Sequence, residues 1–398
     1  MTDASRAWIR AASIAMAVDT VGVLPIFLTG ALAVQLRDDI GLAVGSLGLI
    51  YTSYFVAAAL LSAPLGRWSE RAGPHLALRL GTITYIVSFV GIAVLAGSPL
   101  TLAAFVLLSG LGTSLTRTAS SVLVARNVLP GRQGLAFALK HCSIPVGTLL
   151  SGLSVPTIAL TVGWRWAYVV AAALSAAVLL VIPRDVPRSV ERAKGKADLS
   201  MSVLVVVAIS FALGSSAAAS LGAYTVSTAV ATGMPEATAG ILVAMGSVFG
   251  LAARLVVGNW SDRRPGSQLD LVAWMLAVGG IGFLLLGVAE EAVLWLAVPL
   301  AFATGWAWFG SYNLAMIRLN PIAPGAAVGV TQTGAFVGAI IGPAGLGFLA
   351  GHFSFRAAWF AAAVASFAAA TMIFVLRRFV LREPSVRRLR VAGDAIEG

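Results

Sequence analysis

Four ionisable side chains lie inside hydrophobic runs of this sequence: Asp19, Arg117, Lys140 and Arg254, with His141 beside Lys140. A charge at the centre of a lipid-spanning helix costs about 2.5–3.5 kcal/mol on insertion scales, so such residues are functional candidates by default. Few kinds of chemistry are open to them. The planar guanidinium of Arg117 can hold a carboxylate through two parallel hydrogen bonds, and Lys140 can add a second point charge. Asp19, the one acid of the set, can take up and release a proton, with its proton affinity set by burial and by its neighbouring cations. An imidazole titrates near neutrality, which makes His141 the second candidate for proton coupling.

Each of these residues also has a purely structural reading. Arg254 stands one turn before Gly258, where it can pair with a loop acid or snorkel to the interface, and Lys140 is long enough to snorkel. Asp19 can serve as the salt-bridge partner of Arg117, and His141 can be a helix-packing residue. Three bases against one acid nevertheless leave a positive surplus whose desolvation a bound anion would offset. Uncharged candidates accompany them. The run Trp306-Ala307-Trp308-Phe309-Gly310-Ser311-Tyr312-Asn313 offers Trp306, Trp308 and Tyr312 as ligand walls and Asn313 as a hydrogen-bonding amide. Gln332 and Thr333 add hydrogen-bonding capacity from the following apolar run.

The elements that must position these residues follow from composition. With 59% hydrophobic and 11% charged residues and a mean hydropathy of +0.93, the chain has too little polar surface for a water-soluble particle. Apolar runs near 10–34, 43–65, 76–97, 100–126, 133–161 and 164–183, then 200–231, 237–258, 269–288, 292–317, 325–350 and 355–376, each match the roughly 20 residues of a spanning helix. The first run has the outline of a secretory signal, but Asp19 within its apolar core argues for a retained span. The expected organisation is a six-helix half over 1–183, a solvated linker over 184–199, a second half over 200–377 and a polar tail over 378–398. The single cysteine, Cys142, excludes an intramolecular disulfide.

One half repeats the other. Gly66-Arg67-Trp68-Ser69-Glu70-Arg71 returns as Gly258-Asn259-Trp260-Ser261-Asp262-Arg263, and Gly163-Trp164-Arg165 returns as Ser354-Phe355-Arg356 at nearly the same offset. The first pair reads as tight polar loops at one membrane face. Counting Lys and Arg by side places 21 with the chain ends and linker and three, Arg37, Arg165 and Arg356, on the other side. The asymmetry puts both termini in the cytoplasm.

Parallel six-helix repeats joined by a linker resemble the major facilitator superfamily. The hinge resembles that family's loop signature after the second span: Gly66, Ser69, Glu70, Arg71 and Gly73 fit it in the first copy, with Glu in place of Asp. Gly258, Ser261, Asp262 and Arg263 fit it in the second, and both copies lack the terminal basic pair. The resemblance implies an all-α membrane protein of twelve transmembrane helices, with Gly66, Glu70, Arg71, Gly258, Asp262 and Arg263 as a cytoplasmic gate. The eleventh run, with Gly334, Gly338, Gly342 and Gly345, permits close helix packing, and Pro343 permits a kink.

The expected function is alternating-access transport of a small organic anion, coupled to protons, by a monomer in the cell's inner (plasma) membrane. The runner-up is a proton-coupled exporter of cationic or neutral hydrophobic drugs, with Asp19 facing the cation. No cofactor is expected and nothing points to an enzyme: there is no Walker loop, HExxH, His/Cys metal cluster or Ser-His-Asp set. The basic residues sit in short loops and tails, a placement that sets topology and does not build a nucleic-acid surface.

Overall fold

A computed structural model describes residues 3–127, 133–182, 200–263, 268–320 and 324–380. The expected linker at 184–199 and the tail beyond 380 lie outside the described residues, as do the side chains of Glu70, Arg71, Asp262 and Arg263. Among the described residues twelve helices are long and apolar enough to cross a membrane. They are α1 (Trp8–Ala31), α2 (Val44–Leu61), α3 (Pro74–Leu95), α4 (Pro99–Ser121), α5 (Ala138–Val162), α6 (Trp164–Val181), α7 (Met201–Ala231), α8 (Glu236–Ser261), α9 (Gln268–Val288), α10 (Glu291–Leu319), α11 (Gly329–His352) and α12 (Phe355–Arg378). They reproduce the twelve runs read from hydropathy, and an even number of spans returns the chain to the face on which it began.

The first hinge requires a correction. Gly66 to Arg71 is not a loop: the helix of α2 continues to Ala72, and the turn falls at Gly73, whose φ of 101° suits glycine. Pro74 then opens the next helix, where its missing N–H costs nothing. Likewise the helix of α8 continues through Asp262 to Arg263. Beyond the lipid, water solvates these charges on a helical turn as well as on a loop, so polarity alone did not locate the break.

The second sequence echo has a structural meaning. Arg165 Nη2 donates to the carbonyl of Ala96 at 3.1 Å, and Arg356 Nε donates to that of Gly287 at 3.2 Å. In each half the arginine at the second position of the sixth helix thus binds a carbonyl at the end of the third, where a cation suits the negative pole of the helix. Arg165 also meets Asp39 at 2.6 Å, and together with Trp164 Nε1 it holds the Asp39 carboxyl below its usual range.

The glycines of α11 let α7 approach. A Cβ at Gly334, Gly338 or Gly342 would stand 2.5, 2.2 or 2.2 Å from the carbonyl oxygens of Ala208, Ala212 and Ser216. Gly338→Ala should therefore lower the stability of the detergent-solubilised protein by about 1–3 kcal/mol, read as an earlier thermal unfolding transition. Gly345, with nothing within 4 Å, is the matched control and should tolerate alanine.

Several polar contacts join the first six spans to the last six, from mid-membrane towards the face opposite the chain ends. Thr148 meets Ser247 at 2.7 Å, Tyr51 donates to the Gly222 carbonyl at 2.9 Å, and Thr52 donates to that of Ile340 at 2.9 Å. Beyond them Gln35 Nε2 binds Glu236.

Candidate functional site

A cavity of about 560 Å³ lies between the two sets of six spans. Its walls include Asp19, Arg117, Lys140, His141 and Arg254, so all five ionisable candidates meet at one place. Counting residues from the centre of each apolar run, at about 1.5 Å of rise per residue, puts the four charged residues in a common layer on the chain-end side of centre, and the tertiary fold turns that layer into a shared chamber.

Within it the pairing differs from the expected one. Asp19 does not pair with Arg117. Its Oδ2 lies 3.5 Å from Lys140 Nζ, and its Oδ1 accepts from Ser120 Oγ at 3.0 Å. Lys140 is 4% exposed and also donates to Ser121 Oγ, so its ammonium is held inside the chamber instead of snorkelling out. Ser120 and Ser121 in turn donate to the Arg117 carbonyl at 3.1 and 2.9 Å, which ties the backbone of α4 to the ion pair.

The side chain of Arg117 is left differently. Among the described residues it makes no hydrogen bond and no ion pair. Its guanidinium carbon stands 5.0 Å from the ring centre of Phe336 on α11, so a cation of the first half rests on an aromatic face of the second. Five N–H donors without a polar partner are unusual in a membrane interior.

Arg254 is buried, 4% exposed, and does not snorkel to the interface; among the described residues it pairs with no acid. Its Nη2 donates to the Trp306 carbonyl at 2.9 Å, with a weaker contact to Gly250 at 3.5 Å. The acceptor exists because α10 is irregular: a π-helical turn over Ala301–Gly305 is followed by Trp306 at φ −123°, outside the helical region. An inserted residue of this kind interrupts the backbone ladder and leaves a carbonyl for an outside donor.

The uncharged candidates divide. Trp306, Asn313 and Gln332 line the cavity, whereas Trp308 and Tyr312 do not. Trp308 Nε1 bonds the Gly305 carbonyl at 2.8 Å, Tyr312 meets Ser210 at 2.8 Å, and both pack on Phe211 within the second half. Trp306, Gly310, Asn313 and Ile317 follow a helical stripe that excludes positions 308 and 312. Thr333 is exposed and bonds its own helix at Gly329, which removes it from the site.

Several wall residues carry no sequence signal of their own. Phe27 meets Trp306 edge to face at 5.6 Å, forming an apolar end, and Val23, Ile26, Phe55 and Phe309 add apolar surface to the lining. Tyr54, Tyr85, Thr113 and Thr116 form a hydrogen-bonded row, with Tyr54 to Thr113 at 2.7 Å and Tyr85 to Thr116 at 2.8 Å. The internal repeat shows how unequal the halves are. Phe211, Phe309 and Gln332 stand 192 residues after Asp19, Arg117 and Lys140, so the charged set has an uncharged counterpart. Of the gate residues, Gly258 lines the cavity, and Gly66, Glu70, Arg71, Asp262 and Arg263 lie in the final turns of their helices. Among the described residues no three His, Cys, Asp or Glu gather to hold a metal.

A family model described as Major Facilitator Superfamily matches residues 11–323. An MFS-type efflux pump of Mycolicibacterium smegmatis is 26% identical over 336 residues, covering 79% of this chain and 77% of the pump. Among solved structures, a bacterial homologue of the human lysosomal transporter Spinster, in an inward-facing and occupied conformation, superposes with a TM-score of 0.75. The match covers 96% of this chain and 99% of that one at 15% identity, a likeness of fold.

Proposed function

Because the chain belongs to the major facilitator superfamily, we propose that it is a proton-coupled secondary transporter of a small organic anion, working by alternating access. The observation that carries this reading is the charge state of the cavity. Among the described residues its one acid, Asp19, is already engaged by Lys140, which leaves Arg117 with no polar partner among them and Arg254 held there by carbonyls. Two uncompensated guanidinium groups in a low-dielectric chamber favour an anion over a cation by Coulomb attraction, and Arg117 has the geometry to grip it.

In this reading Arg117, Lys140, Trp306, Asn313 and Gln332 face the substrate, and Asp19 carries the proton, with His141 as the second candidate. The contacts on the face opposite the chain ends support a state closed on that side. The helix ends at Glu70, Arg71, Asp262 and Arg263 act as the gate of the other face, which the excess of Lys and Arg assigns to the cytoplasm. The transporter acts as a monomer in the inner membrane.

The M. smegmatis efflux pump and the apolar end around Phe27 and Trp306 favour a second reading, export of hydrophobic compounds. Ligand charge separates the two. Thermal-shift titration of the purified protein with aromatic carboxylates, with tetraphenylphosphonium and with a neutral dye should show stabilisation by the carboxylates. Stabilisation by the cation alone would replace the first reading with the second.

A further inference from the structure

Gln332 is a cavity-lining residue whose buried Oε1 has no hydrogen-bond partner among the described residues. Its neighbours on the second-half wall are satisfied. Thr331 Oγ1 donates to Asn313 Oδ1 at 2.6 Å, Ser311 meets Ser261 at 3.3 Å, and Ser215 donates to the Ala335 carbonyl at 3.0 Å. Buried acceptors are nearly always paired, so an orphan in a chamber wall is open to a donor that arrives. Nothing polar fixes the oxygen where it lies, and rotation about the terminal amide torsion, which is broad and soft, turns it towards the cavity.

Its position says what the arriving group accompanies. Gln332 and Phe336 are four residues apart on α11 and therefore share a face about one helical turn, roughly 5.4 Å, apart. Phe336 carries the Arg117 guanidinium on its ring. Gln332 thus lies one turn along α11 from the residue on whose ring the Arg117 guanidinium rests. It also occupies the repeat position of Lys140, which lines the same chamber from the first half.

Resting on the anion reading given above, we infer that Gln332 selects anions that also carry a hydrogen-bond donor, a hydroxyl or an N–H, about one helical turn from the anionic group. The substrate class is then a hydroxylated or amide-bearing carboxylate with a hydrophobic body seated against Phe27 and Trp306. An anion lacking the donor leaves Oε1 unpaired and gains only the charge contact.

Two probes test this: naphthoate and its meta-hydroxy derivative, titrated calorimetrically into the purified full-length protein. The wild type should bind the hydroxylated probe about tenfold more tightly, the worth of one well-made hydrogen bond to an otherwise unsatisfied group. Gln332→Leu should bind both probes equally, the tenfold advantage of the hydroxylated one being lost. Gln332→Met, of matching length without the amide, serves where leucine impairs folding. Arg117→Gln should lose both probes. Equal binding of the two probes by the wild type overturns the inference, as does a preference that survives in both Gln332 variants. A preference that persists in Arg117→Gln sinks the anion reading while leaving the role of Gln332 standing. Failure of the wild type to bind either probe overturns both.

Discussion

Arg117→Gln is expected to weaken binding of an anionic ligand about a hundredfold or more, while the protein still folds and reaches the membrane. The guanidinium makes no hydrogen bond or ion pair among the described residues and rests only on Phe336, so its removal leaves no orphaned partner behind. A charge-assisted hydrogen bond contributes about 1.5–3 kcal/mol and a bidentate grip makes two, with every 1.4 kcal/mol worth a factor of ten. Arg117→Lys keeps the charge and loses the planar fork, and it should fall between the wild type and the glutamine variant. Calorimetric titration with an aromatic carboxylate measures all three. Unchanged affinity in both variants would reduce Arg117 to a packing residue and hand the site to the exporter reading.

Asp19→Asn should have two separable effects. The first is on stability, because the substitution leaves Lys140 buried without its counter-charge. Breaking a buried pair costs up to about 3–5 kcal/mol, and neutralisation of the lysine at raised pH relieves part of that cost. Thermal unfolding should therefore come earlier in Asp19→Asn than in the wild type, and by a smaller margin as pH rises. Combining it with Lys140→Met removes both charges and should restore most of the lost stability. The second effect is on coupling. In reconstituted vesicles both the single and the double variant should still exchange labelled substrate across the membrane but no longer accumulate it when a proton gradient is imposed. Accumulation that persists in the double variant would move proton coupling to His141, which lines the same cavity. A double variant that regains both stability and accumulation would make the ion pair purely structural.

Much of the architecture could be read from the sequence, and for one reason. A bilayer removes water from some 20 residues at a time, so each span must be apolar along its length and each exception is visible as an exception. That constraint located twelve helices and singled out Asp19, Arg117, Lys140 and Arg254. It also placed these four at a common depth, since depth follows from counting residues along a helix of fixed rise. The sequence repeat marked one further pair of residues, though not the contacts they make. The two echoing arginines, Arg165 and Arg356, bind carbonyls at matching positions of the third helix in each half.

Partner choice was not legible in the same way, because hydropathy fixes how deep a residue lies and leaves open which way its helix is rotated and what stands opposite. Asp19 was matched to Arg117 by depth, and the packing of α1 against α4 and α5 gave it to Lys140 and Ser120. Arg254 was assigned to a loop acid or the interface, and it binds a carbonyl that exists only because α10 breaks after a π-helical turn. Trp306, Trp308, Tyr312 and Asn313 were grouped as one wall, and the structure divides them along a helical stripe that keeps Trp306 and Asn313 in the lining and leaves Trp308 and Tyr312 out of it. What the stripe could not say is which side faces the chamber. The hinge failed for a related reason: charges beyond the lipid are indifferent to helix or loop, so the break went to Gly73, where the backbone conformation demanded glycine. Position along the membrane normal is a property of each helix alone, and the sequence determined it. Rotation about that normal, and with it the pairing of charges and the composition of the cavity, comes from contacts between helices, and only the tertiary structure decided it.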